Sequence, residues 1–122
     1  MTARGRLDVS VIVASPTDRT RAVETSLMVD TGATFTVLPP DVWRRLELTS
    51  DFRRRLRTAD GRVLDRGQGL AYIEIDGSEG TVPVVEGADG DIPVLGVTSL
   101  EILGLAVDPV KGELRPSEHL YL

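Results

Sequence analysis

One carboxylate stands where a polar residue is difficult to place. Asp30 follows three apolar residues, 27–29, and precedes Thr31 and Gly32. The apolar run predicts a strand buried on both faces, and Gly32 allows the chain to turn directly after it. Burial at such a strand end disfavours a charged carboxylate, whereas hydroxyl or backbone N–H donors from residues 31–34 favour it. A carboxylate that can be tuned in either direction suits general acid–base chemistry.

The elements around Asp30 are predicted from hydrophobic alternation and turn residues. Residues 7–13 and 22–29 predict two strands of a hairpin, with a turn over residues 14–20. After Gly32, residues 35–38 predict a short strand and residues 39–46 a helix of two turns with proline near its start. Trp43 and Leu46 are three residues apart, so they should share the buried face of that helix.

The second half of the chain also alternates as strands. Residues 52–75 predict a hairpin whose turn is Thr58-Ala59-Asp60-Gly61, because an Asp-Gly pair is a strong hairpin signal. Arginines surround this turn, so we expect the hairpin to project into solvent. The remaining predicted elements are a hairpin of residues 71–75 and 81–85, a loop over 86–91, a strand over 92–96, a helix over 98–103 ending at Gly104, and a closing hairpin of residues 105–107 and 113–115.

Composition restricts the classes of protein open to the chain. With 122 residues we expect one domain, and with 41% hydrophobic but 4% aromatic residues a core built from Val, Leu and Ile. A formal net charge of −5 argues against a nucleic-acid partner. The sequence has no cysteine, which excludes disulfides and thiolate metal sites, and no apolar run long enough for a membrane span. We therefore expect a cytoplasmic protein with no membrane partner.

The two halves of the chain echo each other. Hairpin, apolar strand, glycine and short helix occur around residues 30–46 and again around residues 94–103. Only the first copy carries an aspartate, because the later copy reads Val94-Leu95-Gly96.

Over residues 7–116 the chain resembles the retropepsin-like aspartic proteases, and most closely their small single-domain prokaryotic members. The most specific element is Asp30-Thr31-Gly32-Ala33 after an apolar run, followed later by Val94-Leu95-Gly96. The resemblance implies an all-β, barrel-like acid-protease fold with one or two short helices, one domain per chain. It also implies an aspartic endopeptidase that hydrolyses peptide or protein substrates and needs no cofactor or metal.

The resemblance further implies a homodimer in which two Asp30 carboxylates share a proton and a water. Two adjacent carboxylates cannot both ionise easily, so one acts as base and the other as acid. Since the chain has one such motif, two-fold symmetry supplies the second. By the same resemblance Thr31 bonds across the dimer, Gly32 presents its backbone to substrate, Ala33 supports the turn, residues 58–61 form a closing flap, and residues 94–96 line the pocket or form a core strand near it.

Two departures from the resembled family concern the dimer and the flap. Thr34 and Val97 stand where retroviral members commonly carry an ion pair near the dimer interface, so dimerisation must rest on other contacts. The tip Ala59-Asp60-Gly61 replaces a glycine-rich one, which predicts a stiffer and more polar tip.

Alternative interpretations stay open for several motifs. Asp30 could be a turn residue that accepts backbone N–H bonds, and the chain could be an inactive retropepsin-fold module for dimerisation or peptide binding. The string at Asp30 superficially resembles the phosphorylated aspartate motif of pump ATPases, but that chemistry needs an α/β scaffold. Residues 76–80 and 86–91 contain calcium-ligand types without EF-hand spacing, which favours solvated turns. His119 is expected at a surface or interface, and residues 117–122 form either a dimer-sheet strand or a frayed tail.

Overall fold

The computed structural model describes residues 6–117, and this part of the chain is built mainly from β-strands. The strands are β1 (Asp8–Ser15), β2 (Asp18–Asp30), β3 (Thr36–Leu38), β4 (Phe52–Arg57), β5 (Val63–Ile75), β6 (Ser78–Glu86), β7 (Val94–Gly96), β8 (Leu105–Asp108) and β9 (Glu113–Pro116). The helices are α1 (Pro40–Arg45) and α2 (Val97–Leu103). Neither helix is long and apolar enough to cross a membrane.

Six of the strands close into a barrel. The order in the sheet is β1-β2-β7-β3-β6-β5-β4, and β1 also pairs with β5, which joins the two sides. Strand β4 lies at the end of this order and pairs with β5, and β8 pairs with β9 in a separate two-stranded sheet. This architecture confirms the predicted all-β fold with two short helices.

The barrel encloses an apolar core of mostly aliphatic side chains. Val11, Leu27, Ile73 and Leu95 are completely buried, and they come from four different strands. Helix α1 packs on this core through its own apolar side chains. Trp43 and Leu46, which the spacing placed on one face, are both buried, so that prediction is confirmed.

Element bounds differ from prediction mainly at the first turn. Residues 14–20 were predicted as a turn, but only Pro16 and Thr17 separate β1 from β2. Ala14 pairs with Ala22, and Ser15 pairs with Asp18 after a register shift. The backbone ladder thus continues through polar residues whose side chains give no alternating pattern.

The predicted helix stop at Gly104 is confirmed. Gly104 has φ of 69°, and its N–H donates to the carbonyl of Glu101 at 3.2 Å. A left-handed residue with this bond is the common way for an α-helix to end, and glycine adopts that conformation without strain.

Residues 52–68, which we call the Arg-rich hairpin, extend from the barrel as predicted. No residue of β4 is buried, and the five residues between the end of β4 and the start of β5 are mostly exposed. Among residues 6–117, β4 has a neighbour on one side only, so its second edge is open to a partner from outside this part of the chain.

Candidate active site

Asp30 is the last residue of β2 and is half-buried. Strand β2 runs parallel to β7, and Asp30 lies in register with Gly96. A Cβ atom on Gly96 would lie 2.5 Å from the carbonyl carbon and oxygen of Phe35. Gly96 therefore lets the turn after Asp30 pack directly against β7, and a side chain there would force the two backbones apart.

Backbone N–H groups hold the turn after Asp30. The N–H of Gly32 donates to Asp30 Oδ1 at 2.9 Å, and the N–H of Ala33 donates to the Asp30 carbonyl at 3.1 Å. The hydrogen bond expected at this carboxylate thus comes from a backbone N–H and not from a hydroxyl of residues 31–34. Asp30 Oδ2 has no partner within residues 6–117 and is not enclosed, so it is accessible to a second group.

The first two residues of α2 also donate backbone hydrogen bonds to this turn. The N–H of Val97 donates to the carbonyl of Ala33 at 2.8 Å, and the N–H of Thr98 donates to the carbonyl of Thr34 at 3.1 Å. The first N–H groups of a helix have no partner inside it, so they are free for this role. Backbone bonds thereby connect residues 33 and 34 to residues 97 and 98 without charged side chains.

Sequence reasoning missed a buried polar pair behind the turn. Thr36 Oγ1 and Ser99 Oγ lie 2.6 Å apart, both side chains are fully buried, and Thr36 Oγ1 also accepts the N–H of Gly96 at 3.0 Å. This pair links β3, β7 and α2. The available signal was a threonine at an inward position of a short apolar strand, which requires a partner once it is buried.

The tip of the Arg-rich hairpin is closed by polar bonds. The N–H of Thr58 donates to the carbonyl of Arg62 at 2.8 Å, the N–H of Gly61 donates to the carbonyl of Thr58 at 3.0 Å, and the Thr58 hydroxyl bonds the Asp60 carboxylate. That hydroxyl, more than nearby Arg62, lowers the pKa of Asp60 from its usual value. Ala59 is exposed at the centre of the turn. The tip has the polar character that was predicted.

The other predicted pocket residues belong to the core. The side chains of Val94 and Leu95 are both buried, and Leu95 belongs to the apolar core of the barrel. Thr31 and Gly32 are exposed, and Ala33 is half-buried. Two surface clefts, one lined by residues such as Thr17 and Leu48 and the other by residues such as Arg44 and Glu86, do not include Asp30.

The loop over residues 86–91 is anchored to the barrel at Asp91, which was not predicted. It was interpreted as a solvated turn, but the Asp91 carboxylate accepts two bonds from the guanidinium of Arg66, at 2.8 and 3.0 Å, and a third from the N–H of Ala88 at 2.8 Å. The bonds to Arg66, more than the bond to Ala88, lower the pKa of Asp91. The long side chain of Arg66 on β5 reaches this loop across 25 residues of sequence, which no local pattern indicates.

A comparison with protein families assigns the chain. The family described as gag-polyprotein putative aspartyl protease matches residues 20–102, which is more than half of the chain and includes Asp30 and Gly96. The chain belongs to this aspartyl protease family. No curated protein matches the chain.

The family match includes the turn after Asp30, because this turn lies within residues 20–102. A bond from Gly32 to Asp30 is one that any turn aspartate can make. His119 and residues 118–122 lie outside the described residues, so the predictions for the C-terminal tail stay predictions.

Proposed function

We propose that this member of the aspartyl protease family is an endopeptidase that works as a homodimer, with one Asp30 from each chain. The observation that carries the proposal is the accessible Asp30 carboxylate, held in a turn that backbone bonds from Gly32, Val97 and Thr98 fix against β7. In register with Asp30, β7 carries Gly96 and no second carboxylate. A two-fold axis beside Asp30 would supply it.

The proposed chemistry follows from two carboxylates that share one proton. The ionised member removes a proton from a water as that water attacks the carbonyl carbon of the peptide bond, and the protonated member donates to the carbonyl oxygen. The resulting tetrahedral carbon collapses when the nitrogen of the leaving amine is protonated and the C–N bond breaks. The pair titrates in two steps that belong to both residues together.

The Thr31 hydroxyl supports the dimeric arrangement. Thr31 is exposed next to Asp30, and its hydroxyl makes no hydrogen bond with any residue from 6 to 117. It is thus available for the bond across the dimer that the resemblance implies.

The lack of cysteine fits a reducing compartment, and we place the dimer in the cytoplasm.

The first test is the variant Asp30→Asn. It should abolish cleavage of an unfolded protein substrate while the circular dichroism spectrum and the sedimentation velocity stay those of the wild type. Cleavage that persists in this variant at the wild-type rate would disprove the assignment of Asp30.

Mixing wild-type protein with the Asp30→Asn variant tests whether both carboxylates of a dimer are needed. If subunits exchange at random, activity should fall as the square of the wild-type fraction when Asp30→Asn is added at constant total concentration. A linear fall would mean that each chain acts alone.

The second candidate is an inactive module that binds peptides with the same fold. Under that alternative, wild type and Asp30→Asn bind a peptide with equal affinity and neither cleaves it. A binding assay run beside the cleavage assay therefore separates the two functions.

A further inference from the structure

The two faces of the Arg-rich hairpin differ in burial. Residues directly opposite each other in an antiparallel ladder project to the same face. One face, which we call the inner face, consists of the opposed pairs Phe52–Gln68, Arg54–Arg66 and Leu56–Leu64. Five of these six side chains are buried or half-buried, whereas Arg53, Arg55 and Arg57 on the other face are exposed. The inner face is therefore the one directed toward the barrel.

Arg54 is held in place at the centre of the inner face. Its Nε donates to Oε1 of the buried Gln68 at 2.6 Å. Its guanidinium carbon lies 5.1 Å from the ring centroid of Phe35 and 5.2 Å from that of Phe52. A guanidinium within about 6 Å of a ring centroid is attracted by the face of the ring. The side chain is thus positioned before any substrate arrives.

No carboxylate neutralises Arg54 within residues 6–117. Arg55 and Arg57 also form no salt bridge there, but they are exposed, whereas Arg54 is half-buried. Arg66 pairs with Asp91, and Arg53 pairs with Asp65 at 2.9 Å. Within residues 6–117, Arg54 forms no salt bridge, and its two terminal nitrogens donate no hydrogen bond. A half-buried cation without a counter-charge is unfavourable, and the pair of terminal nitrogens fits the two oxygens of a carboxylate.

The Phe35 ring connects Arg54 to the catalytic turn. Phe35 lies in the turn that begins at Asp30, and its backbone packs against Gly96, the residue in register with Asp30. The guanidinium therefore stands beside the turn that carries the carboxylate. A peptide that reaches Asp30 between the barrel and the hairpin would pass this guanidinium.

The charge distribution favours an acidic ligand at this place. Residues 52–68 contain six arginines and two aspartates, a net charge of +4 in a chain of −5, so the rest of the chain carries −9. A local field of this sign attracts carboxylates to the hairpin, while the remaining surface repels them.

We propose that Arg54 is a specificity-determining residue that selects substrates with an aspartate or glutamate beside the scissile bond. The substrate carboxylate accepts a hydrogen bond from each terminal nitrogen of Arg54 above the Phe35 ring. This proposal rests on the proposed endopeptidase function and adds the substrate class.

Cleavage of a random-sequence peptide library tests the proposal. Mass spectrometry of the products from wild type should show Asp and Glu enriched at one position near the cleaved bond, and Arg54→Gln should lose the enrichment. On a matched pair of peptides with Glu or Gln at that position, wild type should prefer Glu about tenfold in kcat/KM, which corresponds to about 1.4 kcal/mol.

Two further variants separate specificity from folding and from general charge. Arg55→Gln removes the same charge from the exposed face of the same strand and should keep the preference for Glu. Arg54→Glu should reverse the preference toward Lys and Arg, a gain that a misfolded hairpin cannot produce. Thermal melting of each variant reports on folding directly.

The outcomes distinguish this proposal from the proposed function. If wild type and Arg54→Gln show the same enrichment of acidic residues near the cleaved bond, the role of Arg54 is overturned, but the endopeptidase function is not. If Arg55→Gln loses the preference for Glu as fully as Arg54→Gln does, the role of Arg54 is also overturned. The preference would then depend on the overall charge of the hairpin. No cleavage by wild type above the level of Asp30→Asn would overturn both.

Discussion

Thr36 Oγ1 and Ser99 Oγ lie 2.6 Å apart inside the protein, where neither hydroxyl reaches solvent. Thr36 Oγ1 accepts the N–H of Gly96, so its own proton is available for Ser99 Oγ. Ser99 is in the first turn of α2, whose amides at Val97 and Thr98 hold the turn after Asp30. The two hydroxyls therefore position the helix that positions the turn after Asp30.

Replacing Thr36 by valine should destabilise the fold by about 2–4 kcal/mol. The shape of the side chain is kept, but the Gly96 N–H and the Ser99 hydroxyl lose a buried partner, and each such loss costs about 1–3 kcal/mol. Urea unfolding of wild type and variant measures the difference.

Thr36→Ser is the matched control because it keeps the hydroxyl and removes only a methyl group, which is worth about 0.8 kcal/mol. The double variant Thr36→Val, Ser99→Ala should lose less than the sum of the single variants, since both partners of one bond are then removed. Equal stability of Thr36→Val and wild type would contradict the role assigned to the pair.

Replacing Gly96 by alanine should be among the most damaging single changes, at about 3 kcal/mol. The new Cβ would meet the Phe35 carbonyl at 2.5 Å, and backbone cannot move aside as a flexible side chain can. Gly80→Ala is the control, since its Cβ would make ordinary contacts of 3.5 and 3.6 Å with Ile102 and Leu103. If both variants unfold at the same urea concentration, the close packing of β7 on the turn after Asp30 is wrong.

Much of the fold could be predicted because its signals are local. Alternation gave the strands, Asp60-Gly61 gave the turn of the Arg-rich hairpin, and Gly104 gave the end of α2. The position of Asp30 at a strand end could also be predicted, because the apolar run before it forms the strand and the glycine after it allows the turn.

The contacts that complete the site could not be predicted, since they join residues far apart in the chain. Thr36 and Ser99 are 63 residues apart, and Arg66 and Asp91 are 25 apart. The sequence around Asp91 is typical of a solvated loop. Asp91 has a partner because the closed barrel places β5 beside that loop. Such pairs follow from the topology of the whole sheet and not from any window of sequence.

Replacing Gly61 by alanine should reduce both activity and stability. Gly61 has φ of 88° at the exposed hairpin tip, where an L-residue is strained by roughly 1–2 kcal/mol. If the tip must regain this conformation to close on a substrate, kcat/KM falls about fivefold for ~1 kcal/mol. Steady-state kinetics on one peptide measures the change.

Gly112→Ala separates this effect from backbone strain in general. Gly112 also has a positive φ, 65°, but lies in the turn between β8 and β9. It should show a similar loss of stability and unchanged kinetics. Equal losses of kcat/KM in the two variants would show that the conformation of the hairpin tip has no specific effect on activity.

Acid should loosen the base of the Arg-rich hairpin through Asp91. Its bonds to Arg66 lower the pKa of the Asp91 carboxyl in the folded protein below the usual 3.8. A lowered pKa means that the ion pair contributes its full stability above pH 3.8 and loses it as the pH falls through the folded-state pKa. The stability that wild type has over Asp91→Asn, about 1–3 kcal/mol at neutral pH, should therefore shrink below pH 4.

Asp89→Asn is the control, because this exposed residue of the same loop changes the net charge equally. Urea unfolding across the acid range should show the pH-dependent gap for Asp91→Asn and not for Asp89→Asn. Arg66 lies on β5 within the Arg-rich hairpin, so the same protonation should raise amide hydrogen exchange at residues 63–68 in wild type. A gap that stays constant from neutral to acidic pH would show that folding does not lower the pKa of Asp91, and so that Arg66 does not stabilise its carboxylate.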